Sequence, residues 1–252
     1  MKKLNTRSIR KRKTNPEAKK LQMLTCYDFQ TANVLNTTEL DLILVGDSVG
    51  NVVLGYDTTV EVSLAEMKIF SAAVKRGAPD KFVVADLPFG SYATYTSAIE
   101  NSISLFQSTK VEALKLEGAN EENYKIIKRL TEIGIPVMGH IGLMPQSVHS
   151  QGGYYKHGKH LEDKIRLQKE ALELEAAGCF AIVLECVEAS LAKEITAQIN
   201  IPTIGIGSGV DCDGQVLVIN DLLGMTENKP KFVTPVANLF QVKKELISKY
   251  LQ

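Results

Sequence analysis

Short apolar runs alternate along this chain with stretches in which apolar positions return every third or fourth residue, and the alternation continues from about residue 21 into the last third of the sequence. A strand buried on both faces of a parallel sheet reads as a continuous apolar run, whereas a helix lying on such a sheet is apolar along one stripe. The runs predict strands at Gln22–Cys26, Asp41–Val45, Phe82–Ala85, Ala113–Leu116, Pro136–Gly139, Ala181–Leu184 and Thr203–Ile206. An eighth is expected at Lys231–Val233. Val216–Ile219 competes for that place, but Asp213-Gly214 leading into VLVINDLLG also reads as a buried helix, and a helix is expected between the seventh and eighth strands of a barrel. Helical patterns fill the gaps: SLAEMKIFSAAVKRG with Ser63 as its N-cap, ENYKIIKRLTEIG, and LEDKIRLQKEALELEAAG, each closing on a glycine (Gly77, Gly134, Gly178). About eight such units predict a single-domain (β/α)8 TIM barrel over residues 21–252, preceded by a short helical extension over residues 1–20.

Several of the runs end on a carboxylate. LILVGDS stops at Asp47, FVVADLP passes through Asp86 and EALKLEG ends at Glu117. Ligands of parallel α/β folds collect at the carboxyl ends of the strands, so these acids are expected to converge on one cavity. Each alone reads equally as a helix N-cap or a surface acid; three on successive strand ends favour a shared site. Carboxylate oxygens are hard ligands suited to Mg²⁺, which keeps open positions for a chelating substrate. Lys115 stands two residues before Glu117 and shares its side of the strand. It either forms a structural ion pair or holds a substrate carboxylate or developing oxyanion. His140 closes IPVMGH, either as a structural residue or as a neutral imidazole donating to a carbonyl oxygen. Glu185 ends AIVLE; if it is not a ligand it is the candidate general base, since burial raises a carboxyl pKa toward working pH. The glycines of IGIGSG could admit a phosphate, though the spacing lacks the order of a dinucleotide site. Gly152-Gly153-Tyr154-Tyr155, with Lys156, His157 and Lys159, reads as a lid or as a plain exposed loop.

The 252 residues are 44% hydrophobic and 23% charged, and 29 basic side chains balance 29 acidic ones, which argues against a nucleic-acid or membrane-surface protein. Seven of the first thirteen residues are basic, and the segment is expected to be a solvated arm or helix without chemistry. Cys26, Cys179, Cys186 and Cys212 form no CxxC pair and no apolar leader precedes them, so they are expected to be reduced thiols of a cytoplasmic protein. No apolar stretch approaches the roughly 18 residues that span a bilayer.

The strings LTCYDFQTA, LVGDSVGNVVLGYDTT, VVADLPFGSY, KLEG, IPVMGHIGLMPQSV, GGYY, LEAAGCFAIVLECV, IPTIGIGSG and DCDGQVLVINDLLG resemble, in order, those of the ketopantoate hydroxymethyltransferase family. The resemblance runs from about residue 21 to about residue 240. It implies a (β/α)8 barrel, assembly into a homo-oligomer, commonly a decamer, and use of Mg²⁺. The implied reaction transfers a one-carbon unit from the co-substrate 5,10-methylenetetrahydrofolate to 3-methyl-2-oxobutanoate, giving 2-dehydropantoate. By motif, Asp47 and Asp86 would bind the metal directly, Glu117 would hold a metal-bound water, Ser48, Lys115 and His140 would contact the oxoacid, and Glu185 would be the catalytic base. The chain departs from the family pattern at Ala119, at Thr109-Lys110 and at Ser208, none of them a proposed ligand. A related Mg²⁺-dependent lyase or mutase of the same barrel superfamily is the alternative enzyme, and a non-catalytic barrel with its basic arm as a contact is the alternative from outside catalysis.

Overall fold

The computed structural model describes residues 3–15, 17–226 and 229–252. Eight parallel strands close into a barrel in sequence order: β1 (Leu21–Thr25), β2 (Leu42–Val45), β3 (Phe82–Asp86), β4 (Ala113–Glu117), β5 (Val137–Gly142), β6 (Ala181–Glu185), β7 (Thr203–Ile206) and β8 (Gly214–Leu217), with β8 pairing back onto β1. The helices are α1 (Thr6–Thr14), α2 (Phe29–Asn36), α3 (Leu64–Gly77), α4 (Tyr95–Thr109), α5 (Glu121–Glu132), the short α6 (Val148–Gln151), α7 (Leu161–Ala177), α8 (Ala189–Gln198), the short α9 (Ile219–Leu222) and α10 (Leu239–Tyr250).

Local signals set most of these boundaries. Ser63 caps α3 in a reciprocal box with Glu66, and Asn120 caps α5 through the amides of Glu122 and Asn123. Gly178 ends α7 in the left-handed conformation expected of it. Gly77 has a different reason to be glycine: it is the last residue of α3, and a Cβ there would stand 2.4 Å from the carbonyl oxygen of Phe29 and 2.8 Å from the Cβ of Ala32, so it allows α2 to close on α3. Lys110, where the family pattern has a glycine near this point, takes the left-handed conformation at φ 60° after α4.

Two apolar cores follow from the alternation of side chains along each strand. Leu21, Met23, Leu42, Leu44, Val84 and Val216 belong to the core that fills the barrel, and Ile43, Val45, Val83, Leu114 and Ile182 to the larger one shared with the surrounding helices.

Two expectations are corrected. The eighth strand is Gly214–Leu217, and Lys231–Val233 is not a strand. Val216 takes an inward place in register with Met23, while Phe232 packs over Gly207 from a loop. Nor does a helix separate β7 from β8. The seven residues 207–213 reach roughly 23 Å at about 3.3 Å each, enough to descend a four-residue strand of roughly 13 Å.

The basic N-terminal segment is not a solvated arm. Ile9 is fully buried in the core that fills the barrel. Around it, Lys3 pairs with Glu112 at 2.5 Å, Arg12 with Asp41 at 2.8 Å and Lys13 with Asp213 at 2.7 Å, while Arg10 donates to the carbonyl of Cys179 at 2.9 Å. Those partners stand just before β4, β2, β8 and β6, so the segment closes the amino end of the barrel by engaging the starts of all four even-numbered strands. Lys11, Arg12 and Lys13 also lie in the last turn of α1, where cations suit the helix dipole.

Candidate active site

At the opposite, carboxyl end the strands run slightly further than their apolar runs, and Asp86, Glu117 and Glu185 are the last residues of β3, β4 and β6. Register then decides who meets whom. Asp86 is the lateral neighbour of Lys115, and Lys115 Nζ donates to Asp86 Oδ1 at 2.7 Å; Glu117 is the lateral neighbour of His140, and Nδ1 of that ring lies 3.2 Å from Glu117 Oε1. Lys115 Nζ also lies 3.9 Å from Glu117 Oε1. Asp47 follows β2 by two residues, and its amide donates to Asp86 Oδ2 at 3.1 Å. Ser48 Oγ shares a 2.7 Å hydrogen bond with the hydroxyl of Tyr27. Glu185 faces the other ring nitrogen of His140 at 3.3 Å.

All seven residues singled out in the sequence (Asp47, Ser48, Asp86, Lys115, Glu117, His140 and Glu185) line one cavity of about 140 Å³.

Asp47, Asp86, Glu117 and Lys115 are all buried, so three carboxylates face one ammonium. Loss of solvation, then repulsion from Glu117 and Asp86, pushes the Asp47 carboxyl well above its usual range. Burial raises Asp86 as well, against the pull of Lys115. Glu117 is held below its usual value because the attraction of His140 and Lys115 outweighs its burial. Burial works against charge on Lys115, yet Asp86, Glu117 and Asp47 together raise its pKa and keep it an ammonium. This is a donor set with negative charge in excess, and hard oxygen donors in that state suit a hard divalent cation. Among the described residues no three His, Cys, Asp or Glu side chains are disposed to hold a metal together. Glu117 points Oε1 toward His140 and accepts the amide of Gln146 on Oε2 at 3.2 Å, while Asp86 accepts Lys115 on Oδ1 and the amide of Asp47 on Oδ2.

For His140 a neutral donor was expected; burial opposes its charge, while the neighbouring carboxylates of Glu117 and Glu185 push its pKa up to about 9. Its contacts are too oblique for hydrogen bonds, and both ring nitrogens remain without a bonded partner. Glu185 is less enclosed than expected, its side chain 20% exposed at the rim. Gly142, its neighbour across β5 and β6, has φ +98° and would place a Cβ 2.2 Å from the Glu185 carbonyl oxygen, so only glycine lets the strands close there. Cys186, directly after Glu185, is held at φ 50°, an uncommon conformation for a side-chain-bearing residue.

Other expectations fared differently. The glycines of IGIGSG are closed against side chains, Gly207 under Phe232 and Gly209 against Ala189, and the Ser208 hydroxyl is bound between the carbonyl of Leu184 and the amide of Val187. The loop offers no open phosphate cradle. The loop with the tyrosines is partly anchored: His157 stacks on Tyr155 and its backbone bonds to Cys186 and Glu188, while Tyr154 reaches the cavity. Sequence reasoning passed over Tyr27, Tyr92 and Gln146. Gln146 is a buried polar residue directly after the proline that starts a short turn beyond β5, and that position was the available signal.

The fold and this mouth define first a class, the (β/α)8 barrels with a buried acidic site at the carboxyl ends of their strands. A solved phosphonopyruvate hydrolase in complex with oxalate and Mg²⁺ shares the fold at a TM-score of 0.64, with 8% identity over 98% of each chain. More narrowly, the chain belongs to the ketopantoate hydroxymethyltransferase family, whose model matches residues 3–252. It is 47% identical to the 3-methyl-2-oxobutanoate hydroxymethyltransferase of Leptospira interrogans, across 94% of this chain and 91% of that one. It is 50% identical to the enzyme of the same name from Thermosipho africanus, across 92% and 87%.

Proposed function

We propose that the chain transfers the one-carbon unit of 5,10-methylenetetrahydrofolate to 3-methyl-2-oxobutanoate as a hydroxymethyl group, consuming a water and releasing tetrahydrofolate, to give 2-dehydropantoate for pantothenate synthesis. The observation that carries this reading is the gathering of Asp47, Asp86, Lys115, Glu117, His140 and Glu185 around one small cavity in a chain of this family. Asp47 and Asp86 would hold Mg²⁺ directly and Glu117 one of its waters, and the ion when bound supplies Lewis-acid polarisation of the oxoacid carbonyl. The phosphonopyruvate hydrolase that shares the fold is named with Mg²⁺ and oxalate, a small dicarboxylate, which supports the same pairing here.

The chain's own residues supply the remaining steps. Lys115 has ammonium protons beyond the one given to Asp86, and these can reach the oxoacid carboxylate; the unpartnered ring nitrogens of His140 and the Ser48 hydroxyl offer further donors. Negative charge developing on the oxoacid therefore meets fixed donors in a buried site. Glu185, at the rim, accepts the proton from C3, and the His140 ring beside it at 3.3 Å orients its carboxylate. The methylene group of the folate would approach from the side of the cavity where Glu185 and Tyr154 stand.

Self-association, as the decamer the family resemblance implies, belongs to the same proposal. No residue of α10 is buried, and Phe240, Leu246, Ile247 and Tyr250 are left to solvent on an isolated subunit. Mass measurement by light scattering tests it, and a monomer at micromolar concentration would remove it. A cytoplasmic setting is supported by four free cysteines. Among the described residues no helix is long and apolar enough to cross a membrane.

The deciding experiment follows the C3 proton of 3-methyl-2-oxobutanoate by NMR in deuterated buffer, with and without Mg²⁺. Metal-dependent loss of the signal is expected. Persistence of the signal, also with tetrahydrofolate present, would remove both substrate and base. Turnover that does not depend on methylenetetrahydrofolate would favour the related lyase or mutase instead.

A further inference from the structure

We propose that Gln146 is a positioning residue that sets the carboxylates of both Asp47 and Glu117 for metal binding, with Tyr92 locking its amide. The inference rests on the divalent-metal reading given above and adds residues to it that were assigned no role.

Gln146 lies in the turn Pro145–Ser147 beyond β5 and is 4% exposed. Its Nε2 donates to Asp47 Oδ2 at 2.7 Å and to the carbonyl of Leu87 at 3.0 Å, which uses both amide protons. Its Oε1 accepts the hydroxyl proton of Tyr92 at 2.5 Å. The orientation of the amide follows from the chemistry of these partners. Turned over, it would set its oxygen against a carboxylate and a carbonyl, two acceptors, with nothing to share. The backbone of the same residue reaches the other acid, its amide donating to Glu117 Oε2 at 3.2 Å. One side chain and one peptide group thus tie together the acids after β2 and at the end of β4 and the loop after β3.

The choice of a neutral donor has a consequence. Asp86 and Glu117 have Lys115 within 4 Å, but among the described residues Asp47 has no ion-pair partner, and its Oδ1 takes no hydrogen bond. An amide fixes the rotation of that carboxylate through Oδ2 without bringing a positive charge of its own, so Oδ1 is left open to a cation. A lysine at position 146 would hold the carboxylate equally well and cancel the charge the metal needs. A leucine would leave Asp47 Oδ2, the Leu87 carbonyl and the Tyr92 hydroxyl buried without partners, so the residue is polar for a reason that packing does not supply. Groups that orient metal ligands in this way typically carry a 10- to 100-fold effect on metal affinity.

The test titrates the metal-free full chain with Mn²⁺, reading free ion by electron paramagnetic resonance, without folate and without turnover. Gln146→Met is expected to weaken Mn²⁺ binding by about 10- to 100-fold. Tyr92→Phe, which keeps the ring and frees the amide to rotate, is expected to weaken it by less. Because Tyr92 acts through Gln146, the double variant should match Gln146→Met alone within about twofold, where independent sites would add. The bound-ion spectrum with oxoacid present should also change in both variants, a signature that loss of packing alone would not produce. Mn²⁺ affinity of Gln146→Met within twofold of the unsubstituted chain would overturn the proposal. If that variant does not fold, as judged by its circular dichroism melt, Tyr92→Phe decides, and an unchanged affinity there overturns it equally. A parent chain that binds no Mn²⁺ would remove this proposal together with the metal reading. Mn²⁺ binding that depends on Gln146 alongside failed C3 exchange would remove the substrate and leave the positioning role standing.

Discussion

The two ends of this barrel use the same chemistry to opposite effect. At the amino end, Lys3, Arg12 and Lys13 meet Glu112, Asp41 and Asp213, and Lys75 also holds Glu112, so each of these acids has a cation of its own. These pairs are partly exposed and contribute about 0–1 kcal/mol each, while the fully buried Ile9 supplies the apolar contact that seats the segment. At the carboxyl end Asp86 and Glu117 share Lys115 while Asp47 has no ion-pair partner among the described residues, and Asp47 and Asp86 are pushed toward protonation. Balanced pairs at an edge hold a structure together. Unbalanced carboxylates kept in the interior oppose folding unless something else supplies the missing charge, so they mark where a ligand belongs.

Substitutions should separate the ends cleanly. Asp86→Asn is expected to have the largest effect, removing an oxygen proposed to bind the metal and the partner of Lys115 at once. Oxoacid binding should no longer respond to Mg²⁺ in calorimetry, and turnover should fall by at least ~10³-fold, since metal polarisation is worth several kcal/mol. Glu185→Gln should lower turnover by about 10²- to 10⁴-fold and keep Mg²⁺ and oxoacid binding. Full turnover in that variant would show that the base is another group. At the other end, Ile9→Ala should cost about 2–5 kcal/mol in denaturant unfolding and leave kcat of the folded protein unchanged. A loss of activity without loss of stability there would mean that the ends are coupled. Lys3→Met should cost less than about 1 kcal/mol, because Lys75 also holds Glu112, at 2.6 Å. A larger cost would mean that the amino-end pairs do more than balance charge.

Legibility differed between the ends for a physical reason. A buried parallel strand must be apolar throughout, so an acid that closes such a run stands out, and Asp47, Asp86, Glu117 and Glu185 were visible for that reason. The basic segment was visible only as charge, since a linear count cannot tell a solvated lysine from one that reaches the start of a strand 200 positions away, as Lys13 reaches Asp213. The eighth strand was misplaced because VLVINDLLG suits a buried helix as well as a strand, and pairing with Leu21–Leu24 selected between them. Gln146 and Tyr92 carried no periodic signal, being polar residues in turns.

What the sequence determined by itself is the repeat of strand and helix and the acids that interrupt it, because burial on both faces and capping are local demands on residue type. What the tertiary structure decided is partnership. Barrel closure and strand register set Asp86 beside Lys115 and Glu117 beside His140, which favours charge on the histidine, and the turn after β5 brings Gln146 to Asp47, 99 positions away. Protonation state and ligand geometry depend on distances across the fold, and distances of that kind exist only once the chain has closed.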